Sequence, residues 1–146
     1  MSTNNKIFVS GQVDRKHLPK KRMGTTYETI VGGHKIFMRT GNYPDGNLGE
    51  VFLDMHKEGA PFRSLLNCVA MLLSIGLQHG VPISAYCHTL VGMKFEPEGM
   101  TTDPEIPEAK SIIDYIFKRL EKDYITHKVV LVDKGAKDEG SKEENK

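Results

Sequence analysis

Residues suited to anion binding crowd into one short stretch, HKEGAPFRSLLN: His56 and Lys57 precede Gly59-Ala60-Pro61, and Arg63 and Ser64 follow. A helix beginning near Phe62 presents unpaired backbone N–H groups and about half a positive charge at its first turn. A phosphate or carboxylate placed there meets those N–H groups, the Ser64 hydroxyl and a guanidinium, Arg63, that can grip it with two parallel hydrogen bonds. Removing one such charged hydrogen bond costs about 1.5–3 kcal/mol of binding. The same residues also suit a purely structural arrangement, in which Glu58 caps the helix while Lys57 and Arg63 face water. A second cationic group, His34-Lys35, follows the glycine turn Gly32-Gly33 but lacks the GxxxxGK[ST] spacing of a P-loop. Beyond it, Lys35, Phe37, Arg39 and Phe52 share the polar face of an expected hairpin, where they combine charge with aromatic platforms for bases.

Catalytic patterns are sparse. Histidines stand at 17, 34, 56, 79, 88 and 127 without an HExxH spacing, and no serine or cysteine has a nucleophile-elbow context. His56 with Glu58 or Asp54 is the one pairing that could do acid–base work. Cys68 and Cys87 have neither CxxC spacing nor companions for a zinc site, and read as small buried hydrophobes. No catalytic residue and no metal site is therefore expected.

The elements that must position these groups follow from periodicity. TTYETIV (25–31) and HKIFMRT (34–40) read as strands. After the Pro-Asp-Gly turn, LGEVFLDM puts Val51, Leu53 and Met55 on one face and Glu50, Phe52 and Asp54 on the other. From Phe62 to His79, Leu65, Leu66, Val69, Leu72, Leu73 and Leu77 recur at helical spacing, which predicts the central core helix; Gly80 should end it and Pro82 prevent its continuation. Ser84 should cap a short helix. A third amphipathic helix is expected from Pro107, carrying Ala109, Ile112, Ile113, Ile116, Phe117 and Leu120. Val129–Val132 suits either a strand or packing against the sheet. Strands first and helices after predict an α+β domain: a small antiparallel, hairpin-based sheet packed against a central helix and one or two others. Its expected bounds are 23–132, after a flexible basic arm (1–22) containing RKHLPKKR and before a disordered charged tail (133–146).

The chain of 146 residues, with 38% hydrophobic and 27% charged residues and a formal net charge of +1, suits one ordinary globular domain. Near-balanced charge and the absence of a nucleic-acid motif disfavour a nucleic-acid partner, so any attraction for phosphates must be local. No leader-like start and no apolar run of about 20 residues is evident, which sets a cytoplasmic, membrane-free expectation.

Several blocks in fixed order, VGGHK, the RTG entering the hairpin, GEVFLDMHKEG, FRSLLN, SIGLQHGVP, KFEP and DYIFKRL, resemble the C-terminal region of long adenosylcobalamin-dependent (class II) ribonucleotide reductases, a module called the TSCPD domain. The resemblance runs from about Lys21 to about Tyr124. In that family the module follows a catalytic barrel, and the barrel binds cobalamin and reduces ribonucleotides using a thiyl-forming cysteine and a further reducing pair. Cys68 and Cys87 cannot supply that set. The resemblance thus implies a non-catalytic chain without its own cofactor, adenosylcobalamin belonging to the barrel. The family's structural cysteines near the glycine turns are missing from VGGHK and HKEGAPF, and the tail DKGAKDEGSKEENK lacks a shuttling cysteine pair.

Two functions fit. One is an accessory module that binds a nucleotide or other phosphate-bearing ligand and associates with a class II reductase catalytic subunit. The other is a free-standing protein that binds or sequesters a nucleotide or cyclic nucleotide-like signal, as a phage might use against a defence messenger. The start MSTNNK and the charged end favour a complete small gene and hence the independent protein. In both readings the ligand sits among His34, Lys35, Phe37, Arg39, Phe52, His56, Lys57, Arg63 and Ser64, and a homo-oligomer with its pocket at a subunit boundary is expected.

Overall fold

Alternation of apolar and polar residues builds the sheet. A computed structural model describes residues 13–126 and contains strands β1 (Thr26–Val31), β2 (His34–Asn42) and β3 (Leu48–Met55), antiparallel in the order β1-β2-β3. The turn between β1 and β2 uses Gly32 and Gly33 at φ +54° and +85°, a backbone region that side chains disfavour. Register pairs Glu28 with Phe37 and Thr26 with Arg39 across β1 and β2, then Phe37 with Asp54 and Arg39 with Phe52 across β2 and β3. Ile36, Met38, Val51, Leu53 and Met55 therefore share the buried face, while Lys35, Phe37, Arg39, Phe52 and Asp54 share the other.

Helix α1 (Ala60–Gln78) covers β3 with Leu66, Ala70, Leu73 and Leu77. Two polar contacts fix its height: Ser74 Oγ accepts from the Val51 N–H at 3.0 Å, and buried Gln78 donates to the Gly49 carbonyl at 3.0 Å. Gly80 then turns the chain at φ +89°, as expected of a residue just past a helix. The expectation of a buried central core helix holds for one side of α1 only. Leu65, Met71 and Leu72 are 66%, 54% and 69% exposed, so α1 buries one stripe and leaves a second apolar stripe uncovered. Among the described residues it is the one helix long and apolar enough, by length and composition, to cross a membrane; here it packs on the sheet.

The most enclosed helix is α3 (Ile112–Glu121), in which Ile112, Tyr115, Ile116, Phe117 and Leu120 are at most 1% exposed. It starts at Ile112 rather than near Pro107. The Ser111 hydroxyl accepts from the Asp114 N–H at 2.9 Å, and that side-chain cap sets the start. Pro107 instead leads into β5 (Glu108–Ala109), paired with β4 (Gly99–Met100), because its carbonyl accepts from the Thr101 N–H at 2.9 Å. Helix α2 (Ile83–Leu90) packs on α3 and also departs from expectation. Pro82, in extended backbone, precedes the helix and accepts from the Ala85 N–H through its carbonyl, so Ser84 falls inside the first turn and does not cap. A π-helical turn (Lys122–Thr126) follows α3, and Val129–Val132 lies outside the described residues.

Residues 13–22 run along the domain. The Lys16 N–H donates to the Gln78 carbonyl at 2.8 Å, Arg15 Nε donates to the Gln78 side chain at 2.7 Å, and Arg22 pairs with Glu50. Residues 13–22 of the expected arm are thus laid against the end of α1 and the edge of the hairpin, and the rest of that arm lies outside the described residues.

Candidate functional site

The start of α1 lies beside the turn end of β2, because the His56 N–H donates to the Lys35 carbonyl at 3.1 Å. His34, Lys35, His56, Lys57, Arg63 and Ser64 are thereby gathered around one end of the sheet, where it meets the start of α1. Carboxylates neutralise much of that charge. Arg63 donates from Nε and Nη2 to the two oxygens of Asp54 at 2.9 and 3.0 Å, Lys35 Nζ sits 2.6 Å from Glu28, and His34 pairs with Glu58. The Arg63 hydrogen bonds are the main reason the Asp54 carboxyl lies below its usual range. Glu58, engaged with His34, does not cap the helix; extended Gly59 holds the cap position without any side-chain bond. Lys57, in left-handed backbone at φ 59°, and His56 carry no ion pair among the described residues. An anion arriving here meets two unpaired groups and an exposed Arg63 for which Asp54 competes.

The opposite end of the same face differs. Arg39 lies over the Phe52 ring at 4.7 Å, and Phe52 is 42% exposed. Stacking uses the face of the guanidinium and leaves its in-plane N–H donors available. Beside this pair, residues 20–22 wall an open cleft of about 530 Å³, lined by Lys20, Lys21, Arg22, Arg39, Glu50 and Phe52 among others. Arg22 answers Glu50; Lys20, Lys21 and Arg39 carry no carboxylate partner among the described residues. Sequence reasoning placed Arg39 and Phe52 in the site but left Lys20 and Lys21 in a separate arm. The run RKHLPKKR held the signal, yet only the contacts of Arg15 and Lys16 with Gln78 of α1 and of Arg22 with Glu50 of β3 lay it beside the sheet.

A larger cavity of about 950 Å³ opens beyond the other end of α1, with Lys16, Tyr27, Tyr43, Arg119, Asp123 and Tyr124 in its wall. Behind it lies a group that the sequence reading did not single out. Arg119, 3% exposed, donates to Asp103 at 3.0 Å and to Asp123 at 2.7 Å, and stacks on Tyr27 at 5.1 Å. Tyr115 donates to Asp103 at 2.9 Å and meets Thr29 at 2.8 Å, while Tyr27 donates to Asp123. Burial raises the Asp103 carboxyl, but Arg119, the Glu105 N–H and Tyr115 outweigh it and hold Asp103 below the usual range. Burial and then Asp123 push the Tyr27 hydroxyl well above its ordinary value. These groups satisfy one another and join β1, α3 and the segment between them. Among the described residues, Arg119 Nε is the buried side-chain polar atom left without a partner.

A three-stranded sheet backed by helices, with a cationic and aromatic outer face, defines a small α+β module. The chain belongs to the TSCPD domain family, whose pattern matches residues 10–124 and so begins inside the expected arm. It is similar to the vitamin B12-dependent ribonucleotide reductase of Agrobacterium fabrum (strain C58 / ATCC 33970), 47% identical over 113 residues, covering 77% of this chain and 9% of the relative. The protein of that name from Streptantibioticus cattleyicolor is 45% identical over 111 residues, covering 76% of this chain and 18% of the relative. That from Rhodopirellula baltica is 37% identical over 106 residues, covering 73% and 10%. The chain therefore spans under a fifth of the length of each of these relatives, and the resemblance seen in its sequence blocks holds. No solved structure matches it.

Proposed function

We propose that this chain is a non-catalytic accessory module that works with the catalytic chain of a class II, vitamin B12-dependent ribonucleotide reductase in the cytoplasm and binds a phosphate-bearing ligand on the outer face of its sheet. The observation that carries the reading is the match itself: a stretch 47% identical to this chain forms 9% of a reductase, as one part of a much larger polypeptide. Adenosylcobalamin and the reducing cysteines belong, on this reading, to the catalytic chain. Of the two cysteines here, Cys87 is buried beneath α3 and Cys68 is exposed on α1, so the two have different surroundings.

The uncovered side of α1 supports the docking half of the reading. Leu65, Met71, Leu72 and Ile75 are each at least 40% exposed, and no charged residue occurs from Ser64 to Gln78, the depletion seen at the centre of interfaces. The occupant proposed for this face is the reductase catalytic chain; a second copy of this chain, giving the expected homo-oligomer, is the competing outcome. Native mass spectrometry of the chain mixed with a catalytic chain lacking this domain tests it. A one-to-one complex that Leu72→Asp weakens by roughly tenfold or more is expected, since a charge buried without a partner is costly. Self-association in place of that complex, or a complex indifferent to Leu72→Asp, would overturn it.

The free-standing alternative, a protein that sequesters a nucleotide or cyclic nucleotide-like signal as a phage would use it, draws on the same cationic face. It is favoured if ligand binding is found and the catalytic chain is not bound.

A further inference from the structure

The cleft between residues 20–22 and the outer face of β2 and β3 gathers Lys20, Lys21, Arg22 and Arg39 around a single carboxylate, Glu50, which Arg22 already answers. A chain with a formal net charge of +1 thus concentrates most of a polyanion's counter-charge in one concave place. The guanidinium of Arg39 is held flat by Phe52 and needs little reordering to donate. The Lys20–Arg22 segment is set in place by the Lys16 bond to Gln78 on one side and by the β1–β2 ladder on the other, with the Thr40 N–H donating to the Thr25 carbonyl at 2.9 Å. Such preorganisation lowers the entropy cost of binding.

We propose that this cleft binds the polyphosphate of a nucleoside triphosphate, with Lys20, Lys21 and Arg39 on the phosphates and Phe52 beside the nucleoside. The inference rests on the reading that the chain binds a phosphate-bearing ligand, and it moves the phosphates from the start of α1 to the opposite end of the sheet. Three comparisons favour it. At the α1 start, Lys35 and Arg63 are matched by Glu28 and Asp54 and His34 is bonded to Glu58, which leaves Lys57, whereas in the cleft Lys20, Lys21 and Arg39 are all unmatched among the described residues. The volume of about 530 Å³ falls within the roughly 300–1,000 Å³ usual for small-ligand sites. A single-stranded nucleic acid would need a continuous basic track, but beyond Arg39 the face carries Glu28 and Asp54, each paired with its own cation. Inorganic tripolyphosphate shares the recognised chemistry and differs only in lacking the nucleoside.

The test is a calorimetric titration of the full chain with ATP, AMP and tripolyphosphate at two salt concentrations. Variants are Lys20→Ala/Lys21→Ala, Arg39→Ala, Phe52→Ala and, at the far end, Lys57→Ala; all these positions are exposed, and thermal melts check that each variant folds. Expected is salt-sensitive binding of ATP and tripolyphosphate, stronger than of AMP. The double lysine variant and Arg39→Ala should each weaken it by roughly tenfold or more, with Lys57→Ala near wild type. Phe52→Ala should weaken ATP more than tripolyphosphate. ATP binding that survives the cleft variants but falls with Lys57→Ala overturns the cleft and leaves the phosphate-ligand reading standing. Absence of ATP and tripolyphosphate binding to the wild-type chain, with AMP or another mononucleotide bound, also removes the cleft alone; absence of all phosphate binding removes both. Tighter uptake of a single-stranded oligonucleotide than of ATP overturns the choice of ligand.

Discussion

The Cys87 thiol donates to the Phe117 carbonyl at 3.5 Å, and burial, followed by the charge of Glu121, pushes it up to about 11. Cys68 lies exposed on α1, which corrects the expectation that both cysteines are buried. A raised thiol value means little thiolate at neutral pH, and the thiolate is the nucleophile. Brief treatment of the folded chain with iodoacetamide at pH 8 should therefore add one alkyl group, at Cys68, and a second only after denaturation; peptide mass spectrometry reads the positions. Double labelling of the folded chain would contradict the burial of Cys87. The charged residues show the same division. Lys35, Arg39 and Arg63 could be placed on an outer face from alternation and helical spacing, but their partners Glu28, Phe52 and Asp54 depend on strand register and on how α1 leaves β3. Two of those partners are carboxylates that quench the charge that the sequence alone leaves unopposed.

Elements with a strong period were legible. The three strands and α1 fall within two residues of the expected positions, because alternation and the glycine turns act locally. The start of α3 was not. A proline suits a first helical turn and an extended segment equally, and the pairing of β4 with β5 decided between them. The apolar spacing of α1 also overstated its burial, since a small sheet offers one helix-wide stripe of contact. Gly76 of α1 faces Tyr86 of α2 so closely that a methyl group there would collide with the Tyr86 hydroxyl oxygen. Gly76→Ala should destabilise the fold by about 1–3 kcal/mol through overpacking, and Tyr86→Phe in the same chain should recover part of the loss. Urea unfolding of the two single variants and the double variant measures this, and simple additivity would refute a direct clash.

For the whole molecule, the Arg119 cluster joins β1, α3, the π-helical turn and the segment around Asp103. Asp103 and Asp114 both titrate below the usual carboxylate range: burial raises each, and hydrogen bonds with Arg119 and Lys118 and with backbone N–H groups outweigh it. A depressed folded value means that the unfolded chain binds more protons. The stability these carboxylates add is therefore present above about pH 4 and is lost as pH falls through their folded values. Thermal melting should be nearly level from pH 8 to about pH 5 and fall below pH 4. Arg119→Met, which strands buried Asp103, should cost about 3–5 kcal/mol at neutral pH and flatten the acid slope. An unchanged melting point for this variant would show that the cluster does not hold the molecule together.

Local rules in the sequence determined the strands, the helices, the family and the presence of cations and aromatics on an outer sheet face, because periodicity, turn chemistry and capping operate over a few residues. The tertiary structure decided which cations remain unpaired, that residues 20–22 join Arg39 and Phe52 at one cleft, and that α1 keeps an apolar side uncovered. These depend on groups far apart in the chain, such as Arg22 and Glu50 or Thr29 and Tyr115, and only packing brings such groups within hydrogen-bond reach.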